Sequence, residues 1–394
     1  MKNMLHKFSS LLINNCIYHQ FHRNLPVLIL SLVVLVPGAH AEDSFSVGFL
    51  DPTVEDVEST SQFYDLFEQI LRATAHDLNI DLHITYGKNS VIRMRRTGLD
   101  LMKTVKPDYF LTGYYVDATD SLMNYTLKNP TKIFLITASP PADEVEKIGL
   151  PRDKYKNFIG QLTPSDQEFG YTEANYLINM AREAGLVNAE NKVNVIAFGG
   201  FNEDAVADSR LQGLKERIAE RNDAVLVKTT LAGWSRELAH KYTMELLEEN
   251  PAINAIWAAN DDMAEGSIEA AEAAGRHPGK DILIGGIDLS KKAIDDIENG
   301  KQAVSVGGQF MEAAWSLAML YDYHHGIDFD DTSHYIFHSK AHAVTKDNAA
   351  AFRKHFLPAD WNSIDFRLLT KTHNPDLKKY DFSLEAFQKL LEKE

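Results

Sequence analysis

Two rhythms of apolar and polar positions alternate along this chain. Short apolar runs bounded by turn residues predict buried strands at residues 46–50, 81–86, 109–112 and 133–137, and 3.6-residue periodicity predicts helices at 62–78, 95–105 and 121–127 between them. A second set of strands follows near 193–198, 224–228, 255–257 and 282–286. Its helices carry apolar stripes, Ala207, Leu211, Leu214 and Ile218 on one and Met263, Ala264, Ile268 and Ala271 on another, which read as core. Gly275 and Gly300 follow helix ends, where a left-handed residue closes the last turn. Strand and helix in regular alternation predict two doubly wound α/β units with parallel sheets.

The remaining stretches are less regular. Residues 139–152, rich in Pro and charge, read as a surface connection. A helix at 312–323 and a strand at 335–338 come after the second unit ends, so the chain is expected to cross back into the first. Past Phe356 the pattern blurs until an amphipathic terminal helix within 383–394.

The N-terminus combines Lys2, Lys7 and Arg23, no acidic residue before Glu42, an apolar run over 25–36 and Ala39-His40-Ala41, the order of a secretory leader cleaved after Ala41. That run is short against the ~20 residues that span a bilayer. The single cysteine, Cys16, lies inside the leader, so the exported chain is expected to have no disulfide, thiolate nucleophile or cysteine metal site, and no cysteine for lipid attachment. The net charge is −16, and losing the leader makes it more negative. With no basic stripe against that background, nucleic acid and anionic membrane surfaces are excluded as expected partners. The remaining ~350 residues exceed what one core usually organises, which again gives two domains.

Three loops carry the candidate chemistry: Gly233-Trp-Ser-Arg, Ala258-Ala-Asn-Asp-Asp and Gly285-Gly-Ile-Asp. Each sits where an apolar run hands over to an amphipathic helix, so Trp234, Asn260 and Asp288 project from one rim of a parallel sheet. An aromatic face, an amide and a carboxylate together suit a small polyhydroxylated ligand. Each also has a plainer reading: a surface Trp, a helix-capping Asn, a turn Asp. Asp261 can take the cap instead and leave Asn260 facing the cleft. No nucleophile elbow, Walker loop or HExxH motif occurs, so no enzyme activity and no cofactor are expected. His324-His325 with Asp328, Asp330 and Asp331 invites a metal reading, but the run lacks the turn glycine and closing Glu of a calcium loop and reads as a solvated loop.

The segments LAGWSRELAHKYTMELLEENPAINAIWAANDDMAEGSIEAAEAAG, ILIGGID and ENGKQAVSVGGQ resemble, in order and spacing, the C-terminal domain of the type I periplasmic solute-binding proteins, the ribose-binding group and the furanose autoinducer receptors. The resemblance implies an α/β fold of two Rossmann-like doubly wound domains with three hinge crossovers, near 162–165, Gln309 and 333–337. It assigns 44–162 plus 310–335 to an N-terminal lobe, 163–309 plus 336–370 to a C-terminal lobe and 371–394 to an extension. A small polar ligand would sit in the cleft, and binding would close the hinge. By the same resemblance Trp234 stacks on the ligand, Asn260, Asp288 and Gln309 bond its hydroxyls, Arg210 orients it, and Phe63 and Tyr64 stand where the family places paired aromatics. One departure stands out. Ile136-Thr137-Ala138-Ser139 occupies the place of the Asp-Arg pair with which the ribose-binding relatives grip an aldose. The implied role is periplasmic delivery of a sugar, furanose or polyol to an ABC permease, or alternatively reporting that ligand to a membrane sensor kinase or cyclase.

Overall fold

The computed structural model describes residues 44–53, 61–329, 333–358 and 360–392. The expected leader, most of the loop 51–61 and the acidic positions Asp330 and Asp331 lie outside the described residues.

The first half folds as β1 (Ser46–Asp51), α1 (Gln62–Asp77), β2 (Asp81–Tyr86), α2 (Val91–Thr104), β3 (Tyr109–Thr112), α3 (Ala118–Thr126), β4 (Lys132–Ile136), α4 (Ala142–Ile148) and β5 (Phe158–Pro164). The second continues as α5 (Asp166–Glu183), β6 (Val193–Gly199), α6 (Ala205–Arg221), β7 (Ala224–Leu231), α7 (Arg236–Glu249), β8 (Ala255–Ala258), α8 (Asp261–Ala273), β9 (Leu283–Ile287), α9 (Lys291–Glu298) and β10 (Val304–Gly307). After these come α10 (Glu312–His324), β11 (Ile336–Ser339), β12 (His342–Val344), α11 (Ala349–Phe356) and α12 (Leu384–Leu391). The strands form two six-stranded sheets, ordered β11-β5-β4-β3-β1-β2 and β12-β10-β9-β8-β6-β7. All pairings are parallel except β10 with β12. Central strands such as β3, β8 and β9 are buried at every residue, as strands covered by helices on both faces must be, hence their unbroken apolar runs.

Three passages of chain connect the sheets. The first, after β5, and the second, through the short 3₁₀ turn Gln309–Met311, fall where the resemblance puts them. The third differs. β11 pairs in parallel with β5, Ile336 opposite Gln161 and Ser339 opposite Pro164, so 336–339 belongs to the first sheet and the crossing lies between Ser339 and His342. The assignment of 336–370 to the second lobe is corrected further along. α11 packs on α9, but the 3₁₀ turns Trp361–Ser363 and Phe366–Leu369 return to α1 and α10. There Trp361, Phe366 and Leu369 join the apolar cluster that contains Phe67 and Ile70. The C-terminal segment therefore lies across the passage between sheets: Lys340 N–H donates to Phe382 O at 2.9 Å, and Leu384 packs at Gly308.

Two local departures have simple causes. α2 begins at Val91 rather than near residue 95, because its first apolar residues, Val91 and Ile92, face solvent and break the expected stripe. α4 forms inside the stretch read as a surface connection, where two short-range signals, Pro141 before the first turn and buried Ile148, are hidden by charge. Gly275 and Gly300 adopt φ of +77° and +73°, as their C-terminal positions require. Among the described residues no helix is long and apolar enough to cross a membrane, and no three His, Cys, Asp or Glu side chains come together as a metal group.

Candidate ligand site between the two sheets

The C-terminal ends of β6, β8 and β9 each pass into a helix, α6, α8 and α9 in turn. Arg210, on α6, is buried and firmly bonded: Nε donates to Asp166 Oδ1 at 2.9 Å, Nη1 donates to Ala259 O at 2.7 Å, and Asp288 Oδ1 stands 3.7 Å from Nη1. Its guanidinium carbon lies 5.7 Å from the Trp234 ring centroid. Asp288 is held at a φ of +129°, and its Oδ1 accepts from Gln309 Nε2 at 2.8 Å. Burial pushes the Asp288 carboxyl well above the ordinary range, against the pull of Arg210 and with help from Asp261, Asp262 and Asp166. Gln309 is 1% exposed, and its Oε1 is a buried acceptor with no donor. Such an orphan acceptor is costly unless something supplies a proton to it.

Trp234 is half-buried at a φ of +62°, and its ring lies so close to Gly200 that a Cβ there would stand 2.2 Å from it. The glycines of the Gly285-Gly-Ile-Asp loop are explained in the same way. A Cβ on Gly285 would meet Glu173 Oε1 at 2.6 Å, and one on Gly286 would meet Asp261 Oδ1 at 2.4 Å. The expectation that Asp261 caps α8 and leaves Asn260 free is reversed. Asn260 Oδ1 accepts from Met263 N at 2.9 Å, while Asp261 turns inward and accepts from Ser290 N, Ser305 Oγ and Gln302 Nε2. The side-chain oxygen of Asn260 is therefore occupied by the helix.

From the first sheet, Tyr64 Oη lies 3.3 Å from Tyr115 Oη, and burial raises the Tyr64 hydroxyl to about 12, with Asp51 and Asp288 both contributing. Phe63 packs edge-on to Tyr64 at 5.0 Å and against Phe67 at 5.8 Å, which ties it to the first core. Gln62 reaches across: its Nε2 donates to Asp262 Oδ1 at 2.9 Å and to Glu265 Oε2 at 3.1 Å on α8. At the position of the missing Asp-Arg pair, Thr137 N–H donates to Glu312 Oε2 at 2.9 Å, so a buried carboxyl of α10 occupies that backbone. Sequence reasoning misses Tyr115, Asp166, Asp204 and Glu312. Only Asp166 and Asp204 carry a sequence signal, an acid opening a helix, which is the ordinary signature of a cap.

Four carboxyls at strand ends or in first helical turns are raised by burial from an ordinary 3.8: Asp51, Asp166 and Asp262 to about 6, Asp261 to about 7. Across that interval the folded chain holds protons the unfolded chain has released, so these groups favour folding at low pH, and their contribution is lost as pH rises through the folded values. Exposed pairs such as Arg152 with Asp328, whose carboxyl is held down, act oppositely and only at lower pH. The melting temperature is therefore expected to rise as buffer pH falls from about 8 to about 5 and to drop below about 4. A profile that falls continuously from pH 8 downward would show that these carboxyls are not protonated in the fold.

Two largely parallel sheets joined by three crossovers are the fold of the type I periplasmic binding proteins. Residues 159–326 match the family described as the periplasmic binding protein domain, and the described chain as a whole has that fold. It is similar to the crystal structure of a periplasmic sugar-binding protein from Pseudomonas fluorescens, with a TM-score of 0.76 and 28% identity over 88% of this chain and 99% of that one. Among curated relatives, the D-allose-binding periplasmic protein of Escherichia coli is 33% identical over 103 residues, 26% of this chain and 32% of the relative. The ribose operon repressor of Halalkalibacterium halodurans is 30% identical over 160 residues, 40% of this chain and 45% of the relative. The chain thus spans less than half the length of these curated relatives.

Proposed function

We propose that the protein is a periplasmic binding protein for a small, uncharged, hydroxyl-bearing solute, a monosaccharide in furanose or pyranose form or a polyol, which it delivers to an ABC permease without chemically changing it. The observation that carries this reading is the unpartnered Gln309 Oε1 beside the Asp288 carboxyl. Gln309 Oε1 is an acceptor without a donor, and a ligand hydroxyl group can supply one. Trp234 supplies a face for the apolar side of a sugar ring, Tyr64 the opposing wall, and the amide N–H of Asn260 a further donor. Phe63 acts through Tyr64 by holding its ring. Arg210 has its near donors committed to Asp166 and Ala259, so its role is to keep Asp288 in place. The named activity of the Pseudomonas fluorescens neighbour and of the allose-binding relative, together with the leader-like N-terminus, supports the same reading.

Calorimetric titration with D-ribose, D-allose, L-arabinose, D-galactose and myo-inositol, with mass spectrometry of the recovered ligand, tests it. Micromolar or tighter binding of an unmodified sugar or polyol is expected; binding of none of them, or conversion of a bound one, would overturn it.

Gln62 supplies side-chain hydrogen bonds from one lobe to the other. Its amide sits between two carboxylates of the other lobe, so Gln62→Ala is expected to weaken binding about 3- to 10-fold, equivalent to one charge-assisted hydrogen bond of ~1 kcal/mol, through faster dissociation. Stopped-flow kinetics in which only the association rate changes would contradict that role.

A further inference from the structure

Asp204 precedes α6 and uses both of its carboxylate oxygens. Oδ1 accepts from the backbone N–H groups of Val206 at 3.1 Å and Ala207 at 3.3 Å, an ordinary N-terminal cap. Oδ2 faces the other way and accepts from Trp234 Nε1 at 2.8 Å. We propose that Asp204 is a positioning residue for ligand recognition, a tether that fixes the plane of the Trp234 ring. The proposal rests on the ligand reading above.

Three constraints then act on one side chain. The backbone of Trp234 sits in the left-handed region, which an aromatic residue adopts only when its surroundings impose it. Gly200 forms a floor that only a residue without a Cβ can provide. The tether removes the remaining freedom, rotation of the indole about its own side-chain bonds. It also engages the only hydrogen-bond donor of the indole, so the ring offers a ligand its face and not its edge. Recognition at this wall is therefore of an apolar C–H surface, and the preference among stereoisomers comes from which sugar presents one there while turning hydroxyls toward Asp288 and Gln309. A carboxylate is needed for both tasks. In Asp204→Asn one oxygen serves either the cap or the indole, and the amide nitrogen meets a donor at the other.

Asp204→Ser separates the tasks, because serine caps a helix as well as aspartate but is too short to reach the indole. With the tightest-binding sugar of the panel named above as probe, Asp204→Ser is expected to weaken binding about tenfold while the melting temperature stays within about 2 °C of the wild type. Trp234→Phe has no ring N–H, so adding Asp204→Ser to it is expected to leave affinity at the Trp234→Phe value. Near-ultraviolet circular dichroism of the ligand-free protein reads the tether without any probe: the part of the spectrum lost in Trp234→Phe is expected to collapse in Asp204→Ser. A tenfold loss that persists in the Trp234→Phe background, or an unchanged spectrum in Asp204→Ser, would overturn the tether. Failure of every sugar to bind the wild type would overturn the ligand reading, and the spectrum would still decide the tether.

Discussion

Arg210→Met is expected to destabilise the fold by about 3–5 kcal/mol near neutral pH, the range measured when one partner of a buried ion pair is removed. The substitution keeps the length of the apolar stem but leaves Asp166 and Asp288 facing each other in a dry site, and it also frees Ala259 O. Both carboxyls are already raised by burial despite the guanidinium, so without it they must take up protons to remain buried. The deficit should therefore shrink as pH is lowered toward about 5, where protonation replaces the lost cation. Urea denaturation at two pH values measures both effects. A deficit below about 1 kcal/mol, or one that does not depend on pH, would mean that Arg210 does not neutralise these acids.

Trp234→Ala is expected to weaken ligand binding by about 30- to 100-fold, the 2 kcal/mol or more typical of a central aromatic contact, while the protein stays folded. The asymmetry follows from where the ring sits. Trp234 is half-buried at the edge of the second core, whereas Trp257, on β8, is completely buried within it, and its removal would unfold the lobe. Thermal-shift titration separates the outcomes, since stabilisation by ligand depends on the logarithm of its concentration over the dissociation constant. Undiminished stabilisation of Trp234→Ala at equal ligand concentration would place the ligand elsewhere.

The fold is largely legible in the sequence because both units repeat one physical pattern, a strand buried on both faces followed by a one-sided helix. Legibility fails where that pattern is diluted. α4 has one strongly buried apolar residue in a charged stretch, and the C-terminal turns hold their apolar anchors, Trp361, Phe366 and Leu369, at spacings that fit no single period. β11 is recognisable as a strand, but its lobe is not, because membership of a sheet is decided by pairing with β5, 175 residues away in the bond between His338 and Thr163. At the site, the residue types on the second rim can be read from the loops, while their bonding cannot. Two adjacent residues, Asn260 and Asp261, have the same capping preference, and which one turns inward depends on Ser305 and Gln302 arriving from a different part of the chain. Asp204 looks like a cap because it is one, and its second bond to Trp234 exists only in three dimensions.

The central claim is that a neutral hydroxylated solute is held between the sheets. It is tested most directly by a crystal structure of the protein purified without unfolding, so that any ligand from the cell is retained. Electron density of a sugar or polyol is expected against the Trp234 face, with hydroxyls donating to Gln309 Oε1 and Asp288. A ligand found instead in the cavity of about 380 Å³ beneath the C-terminal segment, lined by Leu368, Leu377 and Leu390, with the space between Trp234 and Tyr64 filled by protein alone, would contradict it.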